Sequence, residues 1–163
     1  MNIEQAFVKC TEMKSVVEIV NERLNGRLKD IYLTDPMDVP DSYDDVLAND
    51  AKRKMAVSSS KGGWIAIIES KEVNDYAMLM QLSKELQTEV FSVFQYDTAG
   101  AWGYVEMFAG KVIESYFSEE DDEIEDLLDS KLKQKKICHP YPFYMFREVV
   151  RERGNGWDIV QRV

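Results

Sequence analysis

Residues 62–117 read GGWIAIIESKEVNDYAMLMQLSKELQTEVFSVFQYDTAGAWGYVEMFAGKVIESYF, and their hydrophobic rhythm changes twice. Gly63 to Glu69 is dense in β-branched and aromatic residues and reads as a strand. Asn74 or Asp75 then caps a helix whose Tyr76, Leu79, Leu82 and Leu86 share one face. Val90 to Tyr96, Trp102 to Phe108 and Val112 to Phe117 follow as strands, linked through Asp97-Thr98-Ala99-Gly100 and Ala109-Gly110. Links that short join antiparallel neighbours, so this stretch predicts a meander beside a helix.

Upstream, Met55 to Ser60 reads as a strand leading through Lys61-Gly62 into the next one. Ser58-Ser59-Ser60-Lys61-Gly62-Gly63 superficially looks like a phosphate loop, but the glycines follow the lysine and a strand comes next, which fits a hairpin turn. Residues 34–50 are irregular, because Asp35-Pro36 and Val39-Pro40 interrupt regular structure, with a short helix expected near Tyr43 to Leu47. Leu28 to Leu33 reads as a short strand. Residues 3–25 predict a helix, with Ile3, Phe7, Cys10, Met13, Val17, Val20 and Leu24 at spacings of three and four, stopped by Asn25-Gly26.

Downstream, the acidic run Glu119 to Asp126 opens a helix containing Ile124, Leu127, Leu128 and Leu132. Lys131, Lys133, Lys135 and Lys136 close it, in keeping with the helix dipole. Cys138-His139-Pro140-Tyr141-Pro142 is a rigid connector to a helix from about Phe143 to Arg153. Beyond Gly154-Asn155-Gly156, the alternation of Trp157, Ile159, Gln161 and Val163 predicts a terminal strand. The expected fold is a single α+β domain over residues 1–163, with an antiparallel sheet of about five or six strands and helices mainly on one face.

A chain of 163 residues fits one domain, and a domain of that size buries about 70% of its unfolded surface. The formal net charge of −10 disfavours nucleic acid and anionic membranes and favours a basic protein partner. The start of the chain lacks a basic patch followed by an apolar run, and no apolar stretch approaches the roughly 18 residues of a membrane span. Cys10 and Cys138 have no CxxC partner and read as reduced thiols, so a cytoplasmic setting is expected.

Chemistry-bearing residues are few. Asp35, Asp38, Asp41, Asp44 and Asp45 lack the spacing, glycine and terminal glutamate of a calcium loop, so no metal is expected. His139 is the single histidine and has no nucleophile signature near it beyond its chain neighbour Cys138. No catalytic residue and no cofactor is expected. Trp64, Trp102, Tyr104, Phe108 and Tyr116 read as packing residues of one sheet face, or as the lining of a pocket there.

Gly63-Trp64-Ile65-Ala66-Ile67, Leu82-Ser83-Lys84-Glu85-Leu86, Trp102-Gly103-Tyr104 and Gly110-Lys111-Val112 together resemble small acidic bacterial proteins of uncharacterised or toxin-immunity type. The resemblance covers roughly residues 60–118 and carries over no functional residue. It implies an acidic α+β domain that blocks a toxin by covering its active site. The leading expectation is therefore a non-enzymatic binding protein. Glu119, Glu120, Asp121, Asp122 and Glu123 would steer a basic partner, and Trp102 and Tyr104, if exposed, would anchor it. The alternative is a small-molecule-binding or enzymatic domain with a pocket between the aromatic sheet face and the aspartate-rich loop. A homodimer is a further possibility, with the terminal strand pairing across it if that strand lies at an edge.

Overall fold

The computed structural model describes residues 2–23, 53–69, 75–96, 100–118, 124–139 and 157–162. Residues 2–9 overturn one expectation at once: Asn2–Lys9 is a strand, β1, and the first helix, α1, spans only Met13–Arg23. The helical spacing of Ile3, Phe7, Cys10 and Met13 runs across the junction of two elements and has no single face. The strand wins because Ala6, Phe7 and Val8 are consecutive and all fully buried, with Phe7 entering one core and Ala6 and Val8 the other. Burial on both sides erases the alternation that marks a half-exposed strand. In α1, Val16, Ile19 and Val20 face inward, with Met13 and Val17 at the margin.

β2 (Arg53–Ser58) and β3 (Trp64–Glu69) form the expected hairpin. Its turn is closed by Lys61 and Trp64, which exchange backbone hydrogen bonds of 2.8 and 3.1 Å. Gly62 and Gly63 between them have φ of 61° and 84°, the left-handed values that a tight hairpin turn demands at both central positions. The helix α2 (Tyr76–Glu85) starts at Asp75, whose carboxylate accepts from the Met78 amide at 2.9 Å. The meander then runs as expected through β4 (Glu89–Tyr96), β5 (Ala101–Phe108) and β6 (Lys111–Ser118). The helix α3 (Ile124–Lys135) and the strand β7 (Trp157–Arg162) complete the described elements.

The strands make one seven-stranded sheet in the order β6-β5-β4-β1-β3-β2-β7, and every pairing is antiparallel. β1 is a strand where the sequence pattern predicts a helix. It sits at the middle of the sheet, paired to β3 and β4. Among the described strands, the terminal strand β7 lies at one edge and β6 at the other.

Two cores flank the sheet. On one face, α1 and α2 bring Val16, Ile19, Val20, Met78, Leu79 and Leu82 against Ala6, Val8, Ile65, Ile67 and Val90. On the other, α3 brings Leu128 and Leu132 against Phe7, Trp64, Phe91, Trp102 and Tyr104. Two described helices thus cover one face and the third covers the opposite one, an α+β fold. The expected strand at Leu28 to Leu33, the aspartate-rich loop and the helix from Phe143 to Arg153 lie outside the described residues.

Candidate functional site

The face under α3 carries the densest polar chemistry. β4, β5 and β6 each place one glutamate there: Glu89, Glu106 and Glu114. Glu106 and Glu114 are direct cross-strand partners, an arrangement of like charges that is unfavourable alone. α3 answers with two lysines one turn apart. Lys131 Nζ reaches both oxygens of Glu114 at 2.8 and 3.0 Å. Lys135 Nζ bonds Glu89 and lies 2.7 Å from Glu106, and Lys9 adds a 3.5 Å contact to Glu89. The Tyr104 hydroxyl donates to Glu114 at 2.5 Å. These two lysines also stand over aromatic rings, Lys131 over Tyr104 and Lys135 over Phe91.

The titration of these groups follows from that geometry. The hydrogen bond from Lys131, then that from Tyr104, holds Glu114 below the usual carboxylate range. The Glu114 carboxylate in turn raises Lys131. Burial, followed by the hydrogen bond to Glu114, raises the Tyr104 phenol. A cavity of about 470 Å³ opens beside the cluster, lined by its lysines and glutamates. Lys9, Lys131 and Lys135 are matched to Glu89, Glu106 and Glu114, an arrangement that fastens α3 across three strands, and Lys136 also lines the cavity.

The end of α3 is fixed by Trp64. Its indole Nε1–H donates to the Lys135 carbonyl at 2.9 Å, and its own carbonyl lies 3.0 Å from His139 Nε2. That carbonyl only accepts, so Nε2 carries the proton and the neutral ring leaves Nδ1 unprotonated. Nδ1 is buried and has no partner among the described residues. Burial lowers the His139 pKa, and the charge of Lys61 acts in the same direction. Cys138 is exposed, and its thiol points to the Lys136 carbonyl at 3.5 Å. The adjacent thiol and imidazole therefore have different partners and do not form a nucleophilic pair.

Trp102 and Tyr104 are not exposed anchors. They retain 2% and 3% of their accessible surface, because α3 covers the sheet face from which they project. The aromatic face packs against Leu128 and Leu132, as the packing reading of Trp64, Trp102 and Tyr104 expects. The acidic residues Glu119, Glu120, Asp121, Asp122 and Glu123 lie outside the described residues, as does the aspartate-rich loop. Among the described residues there is no cluster of three or more histidine, cysteine, aspartate or glutamate side chains suited to a metal. No described helix is long and apolar enough to cross a membrane.

Among the described residues, exposed apolar side chains gather instead one strand further out, on β6, with Phe108 at the end of β5 also exposed. Every residue from Lys111 to Phe117 is exposed. Val112, Ile113, Tyr116 and Phe117 keep 53%, 57%, 43% and 59% of their surface. Two of these rings are held in place from below. Tyr116 lies 5.1 Å from the Trp102 ring and stacks on Tyr104 at 6.0 Å, while Phe117 on the opposite face sits 5.6 Å from Phe94. Alternation along β5 and β6 puts Tyr116 on the same face as Trp102, but not which of them a helix would cover.

No protein-family model, curated protein or solved structure matches this chain.

Proposed function

We propose that this protein is a non-enzymatic binding protein whose partner is a basic protein, and that it acts as an immunity-type inhibitor by covering its partner's working surface. The observation that carries this reading is β6: an exposed edge strand bearing Val112, Ile113, Tyr116 and Phe117 on a chain of net charge −10. The acidic residues Glu119 to Glu123 follow β6 directly in the chain. Charge on such a surface accelerates encounter, and pre-ordered aromatic rings supply affinity once contact is made. The role assigned to Trp102 and Tyr104 passes to Tyr116, which they support, and to Phe117, which Phe94 supports from the other face. Two free thiols, Cys10 and Cys138, accord with a cytoplasmic setting.

Affinity capture from native lysate tests this at low and high salt, with three baits. These are the parent protein, a variant with residues 119–123 all changed to lysine, and Phe117→Lys. A basic protein retained stoichiometrically by the parent, released by salt and lost by both variants is the expected result. Equal retention by the charge-reversed bait overturns the reading.

A further inference from the structure

We infer that the partner is held by strand addition, an extended basic segment pairing through its backbone with the open edge of β6. This rests on the reading of a basic protein partner given above. Among the described residues β6 is the terminal strand of the sheet and pairs only with β5, so one side of its backbone has no ladder there. Natural sheets close such edges with proline, inward charges, bulges or covering elements. β6 contains no proline, and its one irregularity, between Glu106 and Met107, falls at the Ile113 end. Glu114 to Ser118 remain in unbroken register with Glu106 to Trp102. An edge of this kind is a template for another strand.

The side chains make the same case. An added strand presents alternate residues to the two faces of the sheet. On one face it meets Tyr116, braced by Trp102 and Tyr104; on the other it meets Phe117, braced by Phe94. Both rings already rest on a neighbouring ring, which reduces the rotamer freedom left to be lost on binding. Charge selects the occupant. A second copy of this chain would bring another net charge of −10 to the interface, whereas a basic strand is complementary to that charge.

Two synthetic peptides of alternating arginine and valine test the inference, one ordinary and one N-methylated at every residue so that neither edge of it can donate an amide. Binding and amide hydrogen exchange are measured on the full chain at low salt. The ordinary peptide should slow exchange within Glu114–Ser118 by at least about tenfold, and the N-methylated peptide should bind at least about tenfold more weakly. Equal binding of both peptides without protection of β6 overturns strand addition and leaves the acidic-surface reading standing. Protection at β7 in place of β6 also overturns it. Failure of both peptides to bind overturns the two readings together.

Discussion

The indole of Trp64, on β3, donates to the backbone carbonyl of Lys135, in the last turn of α3, at 2.9 Å. A buried side chain of the sheet thereby satisfies one of the carbonyls that a helix end leaves without an internal partner. Replacing the indole by a phenyl ring keeps the apolar contact and deletes the donor. Trp64→Phe should cost about 2–3 kcal/mol, the penalty for an unmet buried acceptor with some lost packing. Urea unfolding should show a lower midpoint at unchanged slope. A change below about 0.5 kcal/mol would mean that water replaces the indole.

Lys135 joins two glutamates from neighbouring strands, and its side chain is only 9% exposed. Breaking such a cluster from one side strands the carboxylates, whereas neutralising all of it removes the desolvation cost as well. Lys135→Met alone should destabilise by about 3 kcal/mol. The triple variant Lys135→Met, Glu89→Gln, Glu106→Gln should return to within about 1 kcal/mol of the parent. If the single change costs under about 1 kcal/mol, solvent screens these charges and they do not fasten α3.

His139 gives stability a defined pH dependence. The unfolded imidazole titrates near 6.5, and burial between Trp64 and Phe7 places the folded value lower. As pH falls through 6.5 the unfolded chain takes up the proton first, so stability declines by at most about 1.4 kcal/mol per pH unit until the folded ring also protonates. Glu114, held below 4.5 mainly by Lys131, adds a second loss at more acid pH, as its carboxylate protonates and releases the lysine. Subtracting the profile of His139→Phe from that of the parent should isolate the first decline. Superimposable profiles would assign it to other groups.

Gln5 lies in β1 with no exposed surface, and neither amide atom has a hydrogen-bond partner among the described residues. An unpaired buried amide costs more than an apolar group of the same shape. Gln5→Met, close in volume, should therefore stabilise the fold by about 1–2 kcal/mol in urea titrations. A loss of stability would show that ordered water serves the amide in solution.

What could be read from the residues alone follows from how local each signal is. The meander, the capped helix and the glycine turn are written within a few residues of each other: Asp75 before Tyr76, Gly62-Gly63 before Trp64, Ala109-Gly110 between strands. β1 carries no strand signal because its burial on both faces removes alternation, and Phe7 lies three and six residues from Cys10 and Met13, which mimics a helical face. Lys131 and Lys135 were visible as helix-closing cations. Their partners Glu114, Glu89 and Glu106 come together only through the register of three strands. Likewise, no local signal distinguishes Trp102, sheltered by α3, from Tyr116 one strand further out and open to solvent.

Gly103 decides whether the β6 edge keeps its braced form. It pairs with Phe117, and a Cβ at this position would stand 2.1 Å from the Tyr116 carbonyl oxygen and 2.6 Å from the Phe94 ring. Neither approach is tolerable, so Gly103→Ala must displace Phe94, which braces Phe117, or push β6 away from β5. The cost should be about 1–3 kcal/mol, and amide exchange should accelerate in β6 while β7, at the far edge of the sheet, stays unchanged. Binding of a basic strand should weaken with it, because the ring that meets the partner is no longer pre-ordered. If Gly103→Ala leaves β6 exchange at the parent rate, the close contact with Phe94 and the Tyr116 carbonyl does not brace this edge, and Phe117 reaches a partner without it.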